Sequence, residues 1–212
     1  MGLWFTMHIL PRYAWCTESR LCSAATEISR SSRSFAFATQ PVATSSSAQT
    51  FTLSNTGNAS LDIAAVGFTG PNASDFSQTT TCGATLAANS SCPIVVVFTP
   101  AASGSRSASL VVTDNSNGAS GSTQTSTLTG TARLDVILSW APSPSSGVVG
   151  YYVYRGTAPG GETSIPLNST SINGISYVDA NVTPGTTYYY VVTAVGSNGS
   201  QSAPSNETSA LP

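Results

Sequence analysis

The stretch Gln49-Thr50-Phe51-Thr52-Leu53-Ser54-Asn55-Thr56-Gly57-Asn58-Ala59-Ser60-Leu61-Asp62-Ile63-Ala64-Ala65 decides the fold class. Phe51 and Leu53 alternate with Thr52 and Ser54, and Leu61, Ile63 and Ala65 repeat the alternation. A period of two puts apolar side chains on one face of a strand and polar ones on the other. Between the runs, Asn55-Thr56-Gly57-Asn58 supplies turn chemistry: Gly for positive φ and Asn for local side-chain bonds. The chain here reads strand, turn, strand.

Working outward, the same grammar continues. Strands are expected at Phe35–Ala38, Ala48–Asn55, Leu61–Phe68, Pro93–Phe98, Arg106–Thr113 and Ser126–Ala132. The run Ile94-Val95-Val96-Val97-Phe98 is apolar on both faces and should be a central strand. A second set follows at once. Val136, Leu138 and Trp140 alternate with Ile137 and Ser139, and further strands are expected at Gly150–Arg155, Ile165–Leu167, Ser176–Val178, Thr186–Ser197 and Glu207–Leu211. The fold class is therefore all-β: two tandem immunoglobulin-like β-sandwiches, with residues 1–33 as a poorly ordered N-terminal tail, 34–132 as the first sandwich and 133–212 as the second. The short step between the sets implies limited hinge freedom. Within the tail, Thr17 to Arg30 has the composition for a short helix, ended by Ser29-Arg30-Ser31-Ser32.

Composition narrows function. Hydrophobic residues are 40 % of the chain, enough for two cores, while charged residues are only 8 %, against about a quarter in ordinary domains. Ser and Thr, about 30 % of the chain, take over the surface. All seven basic residues are Arg, and four of them lie in the first 34 residues. Three scattered Arg in the body cannot neutralise a run of phosphates or an anionic membrane, so no nucleic-acid partner is expected. No apolar run reaches the roughly 18 residues of a membrane span. Met1–Trp15 is interrupted by His8, Pro11 and Arg12 and lacks a basic leader and a small-residue cleavage site, so no signal peptide is evident. That segment reads as a fragment boundary or a misassigned start.

Two resemblances sharpen the reading. Three runs carry the first. They are Leu134-x-Val136-x-Leu138-x-Trp140 with Pro142 close behind, Gly150-Tyr151-x-Val153-x-Arg155, and Val182-x-Pro184-Gly185-Thr186-x-Tyr188-x-Tyr190-x-Val192-x-Ala194. In that order they resemble a fibronectin type III domain. The resemblance implies that Trp140, Tyr151, Val153, Tyr188 and Tyr190 are structural core, with the Tyr188 hydroxyl bonding backbone a few residues upstream as a tyrosine corner. Tyr152, Tyr154 and Tyr189 then point outward, either as cross-strand packing or as a platform for a sugar or a partner. The family's roles are binding, adhesion and spacing rather than catalysis.

The first set is similar to the bacterial relatives of the ASPM-SPD-2-Hydin immunoglobulin-like domain, called choice-of-anchor D. The carrying residues are Phe37-x-Thr39-Gln40-Pro41-Val42, Gln49 to Gly57, Phe68-Thr69-Gly70, Asp75-Phe76, Cys82-Gly83, Leu86, Cys92, Val97-Phe98-Thr99-Pro100 and Leu128-x-Gly130-x-Ala132. Cys82 and Cys92 read either as a disulfide, which belongs in an oxidising compartment, or as two buried thiols. The family pattern has paired cysteines here, so the resemblance implies the disulfide and an extracellular or cell-surface location.

No catalytic site is expected. The one His, His8, lies in the tail, so no Ser-His or Cys-His pair has its base in the folded part. The acids are scattered, without the facing pair a glycosidase needs. A metal site at Cys16, Cys22 and His8 would lack a fourth ligand, and Asp114-Asn115-Ser116-Asn117 reads as a turn rather than a calcium loop. No cofactor or metal is expected. The chain reads as a non-catalytic, monomeric segment that spaces or presents other domains of an exported bacterial protein. The alternative is an accessory module that binds polysaccharide, cell wall or a protein partner, serving a polysaccharide-degrading enzyme or an adhesin.

Overall fold

The computed structural model describes residues 26–29 and 34–212, the former by backbone alone. The chain is all-β, with no α-helix among the described residues. Ten strands make the first sandwich: β1 (Thr26–Ser29), β2 (Ser34–Ala36), β3 (Gln40–Pro41), β4 (Gln49–Asn55), β5 (Leu61–Thr69), β6 (Phe76–Thr80), β7 (Thr85–Leu86), β8 (Ser90–Phe98), β9 (Gly104–Asp114) and β10 (Ser122–Arg133). One sheet runs β1-β4-β8-β6. The other runs β2-β10-β9-β5-β7, with β3 also on β10. Both β2 and β3 lie parallel to β10; the other pairings are antiparallel.

The period-two reading places the core. Phe51 and Leu53 of β4 are buried, as are Ile94, Val96 and Phe98 of β8 and Ala108, Leu110 and Val112 of β9. Strand β8, apolar on both faces, sits inside its sheet between β4 and β6. Phenylalanines cluster at the centre, with the Phe76 and Phe98 rings stacked at 5.0 Å. Gly130 of β10 makes room for them: a Cβ there would lie 2.5 Å from the Phe98 ring. Only the absence of a side chain lets the two sheets close at that point.

Five strands make the second sandwich: β11 (Val136–Ser139), β12 (Val148–Gly156), β13 (Ser176–Asp179), β14 (Tyr188–Gly196) and β15 (Thr208–Ala210). Strands β11 and β13 form one sheet and β12-β14-β15 the other. Val136, Leu138, Val153, Tyr188 and Tyr190 are buried together, with Trp140 and Val192 packed against them.

Three expectations are corrected. Thr26–Ser29, assigned to the tail and to a short helix, is strand β1, because β4 offers it an edge to pair with. The rest of the tail, including His8, Cys16, Cys22 and most of the expected helix, lies outside the described residues. Ile165–Leu167 is not a strand. Pro166 has no N–H to give a ladder, and Ile165 stands exposed. Conversely, β6 and β7 carry no strand pattern of their own. Phe76–Thr80 has a single apolar residue, and pairing with β8 rather than hydrophobic pattern makes it a strand.

Candidate functional site

Strands β12 and β14 form the stage. Their register sets Tyr152 opposite Thr193, Tyr154 opposite Val191 and Gly156 opposite Tyr189. Because side chains alternate along a strand, Tyr152, Tyr154 and Tyr189 share the outer face, while Tyr151, Val153, Tyr188 and Tyr190 share the inner one. All three outer tyrosines are half-buried; Tyr151, Val153, Tyr188 and Tyr190 are buried. Tyr154 and Tyr189 sit on the diagonal of the pair, within reach of each other's rings.

The outer face is bounded at both ends. At one end Gln201 folds over it, its Oε1 accepting from the Tyr154 hydroxyl at 2.7 Å and the Thr193 hydroxyl at 2.8 Å. At the other end the turn at 158–162 lies against Gly156, where a Cβ would meet the Gly161 carbonyl oxygen. Gly160 donates its N–H to Glu207, just before β15. The result is a shallow aromatic strip with hydroxyl and amide groups at its margins. Aromatic faces with polar tips suit a sugar ring, which has both C–H faces and hydroxyls.

Beneath the strip, a buried ionic group holds the sheets together. Asp179 on β13 accepts from Arg155 at 2.7 Å, from the Tyr190 hydroxyl at 3.0 Å and from the Asn181 N–H at 3.0 Å. The Arg155 guanidinium lies 4.7 Å from the centre of the Tyr188 ring and also donates to the Asn181 carbonyl. Burial lowers the Arg155 pKa, but the bond to Asp179 and its charge outweigh that and hold it above its ordinary value. Burial, then the Asp179 charge and hydrogen bond, push the Tyr190 phenol upward. The Tyr188 hydroxyl accepts from the Thr183 N–H at 3.1 Å, the corner bond. The Thr183 side chain first, and then this backbone bond, pull its phenol downward. The Tyr151 hydroxyl likewise accepts from the Ser143 N–H at 2.8 Å, while the Tyr151 ring meets Trp140 at 5.5 Å.

In the first sandwich, Cys82 and Cys92 form a disulfide with Cα atoms 5.3 Å apart, tying the segment after β6 to β8. Asp75 is buried, bonded by Arg106 and by the Ala101 N–H. The Asp114–Asn117 segment is occupied by its own turn: Asp114 accepts from the Ser116 N–H, and Asn115 exchanges bonds with Asp62. Among the described residues no three metal-ligating side chains gather.

Sequence reasoning missed the interior polar pins. Asn55 donates to the carbonyls of Ala59, Leu86 and Ala87 and accepts from Gly57. Asn168 donates to Tyr151 and Thr170 and accepts from Val153. Both stand among turn residues where an Asn is unremarkable, so no local signal marked them. The Arg155–Asp179 pair spans 24 residues and was equally invisible to a local reading.

No curated protein matches the chain. Among solved structures, a Fn3-like protein from Clostridium thermocellum is 39 % identical, with 37 % of this chain and 77 % of that one covered and a TM-score of 0.32. The VesB protease of Vibrio cholerae is 18 % identical over 51 % of this chain and 32 % of its own, with a TM-score of 0.39. The secreted serine protease VesC from the same organism is 13 % identical over 89 % of this chain and 43 % of its own, TM-score 0.37. The chain thus spans less than half the length of either protease. Residues 30–131, the stretch that forms most of the first sandwich, match the model of the HYDIN/CFA65/VesB-like Ig-like domain family.

Proposed function

We propose that the chain is a non-catalytic structural and interaction segment of an exported bacterial protein, in which two rigid sandwiches, 34–132 and 133–212, space or present other domains at the cell surface. The second sandwich is read as fibronectin type III in kind. The observation that carries the proposal is how the ionisable side chains are used. Arg106, Arg133 and Arg155, all the Arg of the described residues, each pair with an aspartate of the scaffold, Arg106 and Arg155 with a buried one and Arg133 at the surface. They hold strands and the junction between β10 and β11 rather than facing a cleft. The Cys82–Cys92 disulfide supports export, since such bonds persist in oxidising compartments. The match to an Ig-like domain family named in part for VesB supports an accessory role beside other domains.

A second reading is favoured by one observation, the shared outer face of Tyr152, Tyr154 and Tyr189: the second sandwich binds polysaccharide or cell wall. One experiment separates the two. The whole chain is incubated with insoluble cellulose, chitin and purified peptidoglycan, and the bound fraction is measured. The spacer reading expects no retention above a β-sandwich control. Retention that disappears when Tyr152, Tyr154 and Tyr189 are together replaced by Ala, with the fold intact, overturns it in favour of the binding module.

A further inference from the structure

The smaller sheet of the second sandwich is open on one side. Strand β11 pairs with β13 and with no other strand among the described residues. The Trp140 N–H bonds the Ile175 carbonyl, so by antiparallel alternation Leu138 and Val136 also address β13. The N–H and C=O groups of Ile137 and Ser139 therefore point away from it. A main-chain edge of this kind is a template for one more strand.

Beside that edge lies a groove of about 280 Å³, floored by Leu138, Trp140, Tyr190 and Val192 and rimmed by Ser205 and Thr208. A second hollow of about 260 Å³ shares Trp140, Val192 and Ser205 with it. No Asp, Glu or Arg lines either one. The Trp140 Nε1 is buried and finds no acceptor, although a buried indole N–H normally has one. On the outer face, Ile137 and Val178 are cross-strand partners and stand 75 % and 49 % exposed.

We propose that this edge and groove receive an extended, uncharged polypeptide segment of a partner protein, added to β11 as a strand. Its main chain pairs with Ile137 and Ser139, and its alternate small apolar side chains enter the groove. A polypeptide is the occupant because only a main chain offers a donor and an acceptor together at every second residue along one edge. It is uncharged because a groove lined by no Asp, Glu or Arg gives a charged side chain no counter-charge for the water it would lose. A second copy fits less well: β11 against β11 sets four residues against four, a patch far short of the roughly 1,000 Å² of a stable interface.

The test uses the whole chain and an array of uncharged seven-residue peptides, with Val, Leu or Ala alternating with Ser or Thr, beside the same peptides carrying a central Pro. Hydrogen exchange of the Ile137 and Ser139 amides is read with the tightest binder. The expected result is binding weakened at least tenfold by the central Pro and exchange of both amides slowed at least tenfold. Replacing Tyr152 and Tyr154 by Ala leaves peptide binding unchanged, which keeps this site separate from the aromatic strip. Array peptides that bind no better than their Pro versions, or bind without slowing the two amides, overturn the proposal. So does protection that rises with protein concentration alone, which makes the occupant a second copy, or protection by a polysaccharide instead of a peptide.

Discussion

The first sandwich is built on phenylalanine and the second on tyrosine. From residue 34 onward every Phe lies at or before Phe98, and every Tyr at or after Tyr151. The Phe core closes by burial: fourteen apolar side chains pack with the rings of Phe37, Phe51, Phe76 and Phe98 at their centre. The second core's central cluster has five buried residues, Val136, Leu138, Val153, Tyr188 and Tyr190, and buried Tyr151 stands on the same inner face. A phenol cannot be buried without a partner for its hydroxyl. The second sandwich accordingly carries Asp179 for Tyr190, the Thr183 N–H for Tyr188 and the Ser143 N–H for Tyr151. The phenylalanine half also buries polar groups, Asn55, Asp75 and Asp114 among them, but these bond backbone and Arg106 and none serves a ring. Ring chemistry decides what the interior polar groups must be bonded to.

That contrast predicts where each half breaks. The largest effect is expected from Asp179→Ala, which leaves buried Tyr190 and half-buried Arg155 without their shared acceptor. Loss of one member of a buried ion pair costs about 3–5 kcal/mol. Urea unfolding followed by amide exchange should show β12 and β14 lost early while β4 and β8 stay protected; simultaneous loss of both would mean the two cores are not independent. Next, reducing the Cys82–Cys92 disulfide, or replacing both residues by Ser, should cost the first sandwich about 2–3 kcal/mol by the loop-entropy argument. The second sandwich should not change.

Alkali sharpens the comparison further. The folded Tyr190 phenol is held above its ordinary value, so the unfolded chain loses that proton first. The stability it contributes is whole below pH about 10, the ordinary tyrosine value, and declines as pH climbs above it. A first sandwich without tyrosine has no such loss, so pH titration with circular dichroism and amide exchange should show the second half failing alone. The smallest effect is Tyr188→Phe, which keeps the ring and deletes only the corner bond to the Thr183 N–H. It is read as a small shift in urea midpoint with unchanged slope. A drop as large as that from losing the disulfide would assign the corner more than one bond's worth of support.

Much of this was legible. Period-two alternation yields β4, β5 and β11, because in those strands the spacing of apolar residues follows the pleat, and an unbroken apolar run yields the central strand β8. The outward placement of Tyr152, Tyr154 and Tyr189 comes from the fibronectin type III resemblance; the register of β12 against β14 is what sets all three on one face. What escaped depends on partners distant in sequence. Strand β6 is polar but for Phe76 and exists because β8 runs beside it. β1 hides in a Ser- and Arg-rich stretch and is a strand through its pairing with β4. Ile165–Leu167 looks apolar enough to be a strand, yet Pro166 withholds the N–H a ladder requires. The Arg155–Asp179 group joins strands from opposite sheets, so no window of sequence contains it.

The parallel placement of β2 beside β10 has a mechanical meaning. These are nearly the first and last strands of the first sandwich, and they lie side by side pointing the same way. A pull along the chain that reaches them slides one past the other, so their bonds are loaded lengthwise and together instead of opening one by one. In the second sandwich the first and last strands, β11 and β15, belong to different sheets and share no such bonds. Under tension the tyrosine half should extend first and act as the extensible link, while the phenylalanine half keeps its length.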